Sequence, residues 1–139
     1  MYKTDVGFPK QERLVSQKLI NELFAVGESE SYTAFPLRVI YRINSSTASQ
    51  PVQVLVSVPK KRLKNAVDRN RVKRQIREAF RMNKMLLYDA LPSQQSLLVA
   101  FVWISCQLVP SDIVSQRVEK LLRRMADKIR QQGIEPSMR

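Results

Sequence analysis

The chain has 139 residues and a formal net charge of +12, from 24 Lys or Arg against 12 Asp or Glu, with no His and one Cys. At that length, 44% apolar residues suit one domain with a real core, residues 1–139, with 1–10 and 133–139 expected to fray. The lack of His and of a second Cys removes the usual acid–base, nucleophilic and metal-binding arrangements, and no pair of acids has a two-metal spacing, so catalytic and metal-ligating residues are both read as none.

The longest apolar run, Leu97 to Ile104, is far too short to cross a bilayer, and the N-terminus MYKTDVGFPKQER has no continuous apolar stretch. A cytoplasmic, reducing setting with no membrane partner is the expectation. In chain order, Leu19, Ile20, Leu23 and Phe24 mark a first helix over Gln17–Phe24, with Ser16 as N-cap and Gly27 as its stop. A polar stretch, Glu28 to Thr33, precedes a strand over Phe35–Ile43, in which Leu37, Val39 and Tyr41 share one face and Arg38, Ile40 and Arg42 the other. After a Ser-rich turn, Val52–Val58 is apolar enough for a strand covered on both sides, and Pro59 ends it.

A helix over about Ala66–Leu87 follows, with Asn65 as cap and Asp68 in a box-like position. Pro92 breaks the chain, Leu97–Ile104 is a buried strand ending near Cys106, and Pro110-Ser111-Asp112 opens a last helix through about Gln131. Cys106 is read as a small core or strand-end residue rather than a reactive thiol. The order is helix, strand, strand, helix, strand, helix, with room for one extra edge strand, which is an α+β layered arrangement.

Most of the excess charge sits on the second of these helices and the turn before it. Between Lys60 and Lys84 eleven Lys or Arg face only Asp68 and Glu78. Val72, Ile76, Ala79 and Phe80 form the apolar stripe of that helix, and Asn70, Arg74, Arg77 and Arg81 fall in a sector of roughly 60° almost opposite, flanked by Arg69, Lys73 and Arg71. A merely solvated face interleaves both signs, and this one hardly does. A lipid-surface helix needs a wider apolar face. A one-sign ridge on a folded helix fits a polyanion, and nucleic acid has the matching charge density.

The run Val56-Ser57-Val58-Pro59-Lys60-Lys61, then Asn65-Ala66-Val67, then Arg69-Asn70-Arg71-Val72-Lys73-Arg74 with Arg77-Glu78-Ala79-Phe80-Arg81, resembles the signature of the protein subunit of bacterial ribonuclease P. The likeness extends over nearly the whole chain. It implies a two-layer α–β sandwich with a small mixed sheet and a left-handed βαβ crossover, the fold of the second domain of a ribosomal protein. It further implies a non-catalytic subunit of an endoribonuclease whose RNA removes the 5′ leader of precursor tRNA, a hydrolase activity in tRNA processing. The partners implied are that catalytic RNA and the leader; magnesium is implied through the RNA subunit, with no cofactor bound by the protein alone.

Carried onto this sequence, Lys60, Lys61, Arg69, Asn70, Arg71, Lys73, Arg74, Arg77 and Arg81 are the implied RNA-docking residues, and Ile20, Phe24, Val39 and Tyr41 the implied leader-binding ones. Arg offers planar forks to phosphate and Lys a mobile point charge, while Asn70 either contacts RNA or bonds the backbone. Phe24 either stacks a base or belongs to the core, and Tyr41 lines the cleft or is core. The chain departs from the family pattern at Leu55, where Gly is common, at Pro59, in the longer spacer Arg62-Leu63-Lys64, and at Ser105-Cys106-Gln107, where a basic residue is common. A structural RNA-binding protein of ribosomal type is the alternative reading.

Overall fold

The computed structural model describes residues 12–25, 27, 29–44, 51–92 and 95–138. The elements are α1 (Gln17–Leu23), β1 (Glu30–Ala34), β2 (Leu37–Asn44), β3 (Val52–Ser57), α2 (Ala66–Asn83), α3 (Met85–Ala90), β4 (Ser96–Trp103) and α4 (Ser111–Met138). The strands form one mixed sheet in the order β1-β2-β4-β3, antiparallel except for the β3–β4 pair. That parallel pair is what α2 and α3 connect, since parallel strands require a long crossover.

Strand parity decides where everything sits. Leu37, Val39 and Tyr41 of β2, Val52 and Val54 of β3, and Val99, Phe101 and Trp103 of β4 all enter one core. On that side α2 supplies Val72, Ile76 and Phe80, and α4 supplies Val114, Val118, Leu121, Leu122 and Met125. Each such large side chain, fully buried, contributes about 1.5 to 3 kcal/mol relative to exposure. The alternate residues Leu98 and Ala100 face a second, smaller cluster with Leu14 and Leu23, to which Leu19, Ile20, Ile40 and Leu55 pack. Strand β4 is thus covered on both faces, by the long helices on one side and by α1 on the other.

Three boundaries differ from expectation. The stretch read as polar loop contains an edge strand: β1 pairs Tyr32 with Val39 and Ala34 with Leu37. In Glu-Ser-Tyr-Thr-Ala only Tyr32 and Ala34 turn toward the core, too short an alternation to mark a strand, and Tyr32 packs on Tyr41 with ring centroids 5.8 Å apart. The basic helix stops at Asn83 and a separate short helix follows, while α4 continues past Gln131 to Met138.

Lys84, at the joint of α2 and α3, is buried. Its Nζ lies 3.1 Å from both carboxylate oxygens of Glu12, which also accepts a hydrogen bond from the Tyr88 hydroxyl. Glu12 is itself buried, so the pair is enclosed, with the Tyr88 hydroxyl as a further donor to the carboxylate. Just beyond, the Leu14 amide donates to the Val54 carbonyl at 2.8 Å, and Arg13 bridges Val54 in parallel at the edge of β3. The segment leading into α1 is therefore fixed to both the helix joint and the sheet.

Candidate nucleic-acid interface

Helix α2 buries Val72, Ile76, Ala79 and Phe80, as its stripe requires, and turns the opposite face outward. Asn70, Arg71 and Arg74 are exposed, as are Lys60 and Lys61 in the turn before it; Lys73 and Arg77 are half-buried. Asn65 takes the extended cap conformation, yet its side chain makes no capping bond. Arg69 does the bracing instead: its Nη1 donates to the carbonyls of Leu63 and Lys64, each at 2.8 Å. Its guanidinium is thereby committed to holding the turn rather than presented outward.

Arg81 is also partly committed. Its Nε donates to Glu78 Oε1 at 3.0 Å and its Nη2 to Oε2 of the same carboxylate. The hydrogen bond from Arg81 holds the Glu78 carboxyl below its ordinary range. Arg71, seven residues from Glu78, is exposed. Burial, and then the neighbouring Arg13, lower the Arg77 guanidinium from its usual value. Arg13 therefore adds charge beside this face, and nothing in its own segment signals that.

The outward angle of α2 is set by Gln75, whose Nε2 donates to the Val109 carbonyl at 3.1 Å and to Ser111 Oγ at 2.9 Å, tying the helix to the start of α4. Between them lies a groove of about 550 Å³ lined by Arg71, Arg74, Glu78, Met82, Asp112 and Ser115.

The second feature lies on the other side of the sheet. Ser16 Oγ accepts from the Leu19 amide at 3.4 Å and starts α1, Leu23 anchors it, and Gly27, at φ 83°, makes the left-handed turn that only glycine adopts freely. Arg42 Nη1 donates to the Glu22 carbonyl at 3.1 Å and Ser29 Oγ to that of Leu23 at 2.5 Å, satisfying the end of the helix. Beside that end is a cleft of about 330 Å³, with Phe24, Ile40 and Val102 as apolar lining and Arg38, Lys61 and Arg62 as cations.

Phe24 keeps 45% of its surface exposed and belongs to this cleft rather than to a core. Ile20 is half-buried and packs on the smaller cluster rather than lining the cleft. Val39 and Tyr41 are corrected: at 0% and 1% exposure they lie in the main core, on the opposite face of β2. Burial, then the hydrogen bond with the Tyr32 hydroxyl, pushes the Tyr41 phenol well above its usual value. The strand positions that line the cleft are Arg38 and Ile40 of β2, together with Val102 and Trp103 of β4. The alternation in β2 already separated the two sets; what it lacked was which face the long helices cover.

Leu55 fills space under α1, Pro59 lines the cleft, and the Pro59 carbonyl accepts from the amides of Arg62 and Leu63 at 3.0 and 3.3 Å, shaping the longer spacer. Cys106 is exposed just past the end of β4, not core. Among the described residues, no three His, Cys, Asp or Glu side chains gather where they could hold a metal ion, and no helix is long and apolar enough to cross a membrane.

An amphipathic helix with a mostly cationic outer face, on a mixed sheet whose far side carries a cation-rimmed cleft, defines an α+β protein built to meet a polyanion. The family model "Ribonuclease P" matches residues 8–126. The "Ribonuclease P protein component" of Porphyromonas gingivalis is 42% identical over 124 residues, 88% of this chain and 89% of that protein. That of Nitrosococcus oceani is 38% identical over 81 residues, 58% of this chain and 64% of that protein. Among solved structures, the RNase P protein from Thermotoga maritima superposes with a TM-score of 0.62 at 24% identity, covering 81% of this chain and 96% of that one. A Staphylococcus aureus RNase P protein mutant with defective mRNA degradation activity gives 0.65 at 18% identity, covering 90% and 96%. The structural likenesses show the fold. The chain belongs to the ribonuclease P protein family, and a ribosomal-type reading is not favoured.

Proposed function

We propose that this chain is the binding subunit of a ribonuclease P in which a catalytic RNA removes the 5′ leader of precursor tRNA. The observation that carries the reading is the pairing of two unlike surfaces on one small sheet: the exposed ridge of Arg71 and Arg74, and the cleft where Phe24 meets Arg38, Lys61 and Arg62. On the ridge, guanidinium forks engage phosphate oxygens of the RNA subunit and offset its self-repulsion. In the cleft, a base of the single-stranded leader stacks on Phe24 over the apolar lining of Ile40 and Val102, while the cations track its phosphates. Magnesium bound by the RNA supplies the hydrolytic chemistry, and the protein adds affinity for precursor over mature tRNA.

Reconstitution with ribonuclease P RNA tests this. Precursor tRNAs with leaders of zero to eight nucleotides should bind the complex with rising affinity until the cleft is filled, then level off. Affinity independent of leader length would remove the cleft from the mechanism, and cleavage by RNA-free protein would overturn the division of labour.

A further inference from the structure

Helix α4 carries a second cationic ridge. The carboxylates of its exposed middle are taken up by their own neighbours: Glu119 Oε2 lies 2.8 Å from Arg123 Nη2, and Asp127 Oδ1 lies 3.9 Å from Arg130 Nη1. Arg117, Lys120, Arg124 and Lys128 are left on one stripe, about one cation per turn over roughly 16 Å of axis. Two of these cations are preset by the fold. Arg117 Nε donates to the Phe35 carbonyl at 2.9 Å, and the Arg124 guanidinium sits 4.2 Å over the Tyr32 ring. Both contacts are to β1 or its turn, so the stripe borders the unpaired outer edge of the sheet. There Phe35 is 62% exposed, and β1 itself contributes a single acid, Glu30.

This surface is separate from the one on α2. In the sheet order β1-β2-β4-β3, α4 packs against β1 and β2, and α2 against β3, so the two ridges flank opposite sides of the helical layer. We propose that the α4 ridge holds a second RNA segment through its phosphates, with Phe35 available to an unpaired base. The proposal rests on the RNA-binding role of the chain. It concerns a different surface and a different stretch of RNA from those assigned to α2 and the cleft. Pairing of both nearby acids within the helix is what distinguishes the stripe from a solvated face, where signs alternate. A phosphate chain satisfies four like charges along one line, and an exposed aromatic beside them suits a base.

The full chain complexed with ribonuclease P RNA is the probe. Lys120→Ala with Lys128→Ala removes two charges that the fold does not use, so the melting temperature should hold while the log–log salt slope of RNA binding falls by about 1.4 to 1.8. In a Cys106→Ser background, Lys120→Cys and Arg74→Cys each carry a short azide photo-crosslinker. Both should crosslink to the RNA, at nucleotides that do not coincide. Crosslinking from Arg74→Cys alone, with an unchanged slope for the lysine pair, overturns the α4 ridge and leaves the α2 interface standing. The same nucleotides from both sites reduce the two ridges to one and overturn the proposal. Crosslinking from neither overturns both.

Discussion

The two faces of the sheet are built to different standards. On the side of α2, α3 and α4, contact is continuous and dry: Phe80 and Phe101 meet at 6.3 Å, and Val72, Ile76, Leu121 and Leu122 are all at or near zero exposure. On the side of α1 a seven-residue helix covers only part of the sheet, and its apolar contacts give way to a cleft that leaves Phe24 and Arg38 open. The closed core and the open cleft lie on opposite faces of the same strands. A substitution one residue along β2 therefore changes the property affected, not merely its size.

The largest effect should come from the closed face. Phe101→Ala should destabilise by about 3 to 5 kcal/mol in urea melts, whereas Ile40→Ala, half-buried on the open face, should cost nearer 1 kcal/mol. Equal losses would break the comparison. Next, Phe24→Ala should weaken precursor tRNA binding by about 1 to 3 kcal/mol, roughly 5- to 150-fold, and leave mature tRNA binding and the melting temperature nearly unchanged. A large fall in melting temperature, with both tRNAs affected alike, would return Phe24 to the core.

Legibility followed the same division. The stripe of α2, the burial of β4 and the parity of β2 were readable because each is a local pattern set by which faces are covered. Placing Val39 and Tyr41 in the cleft failed because parity fixes which residues travel together, not which side receives the larger helices. Glu12 gives no local sign of burial, since its partners lie 72 and 76 residues away. Arg69 was placed on the flank of the charged face by helical angle, which says nothing of a side chain turning back onto carbonyls five and six residues earlier.

That last point supplies a smaller test. Arg69→Ala should lower stability by about 1 to 2 kcal/mol through loss of its two carbonyl contacts, while Arg74→Ala should leave stability intact and take about 0.7 to 0.9 from the salt slope of RNA binding. Thermal melts beside salt titrations separate the two. The smallest effect concerns Glu78. Its depressed pKa means that the Arg81 pair adds stability above the ordinary carboxylate range and loses it only as pH falls through the lower folded value. RNA binding between pH 7 and 5 should therefore show no step from this residue. Glu78→Gln, by releasing Arg81, should tighten RNA binding by a few-fold and steepen its salt slope by less than one; an unchanged slope would show that Arg81 does not reach phosphate.

The buried junction of Glu12, Lys84 and Tyr88 also carries a schedule. A ribosome adding about 5 to 20 residues per second reaches Lys84 some 4 to 14 s after Glu12. Until then the carboxylate has no partner, and α1 has neither Leu98 nor Ala100 to rest on. The first helix translated is thus among the last to dock. On the nascent chain, every residue of the α2 ridge is made before Val102, Trp103 and Ile104 complete the wall of the cleft, so the ridge precedes the cleft.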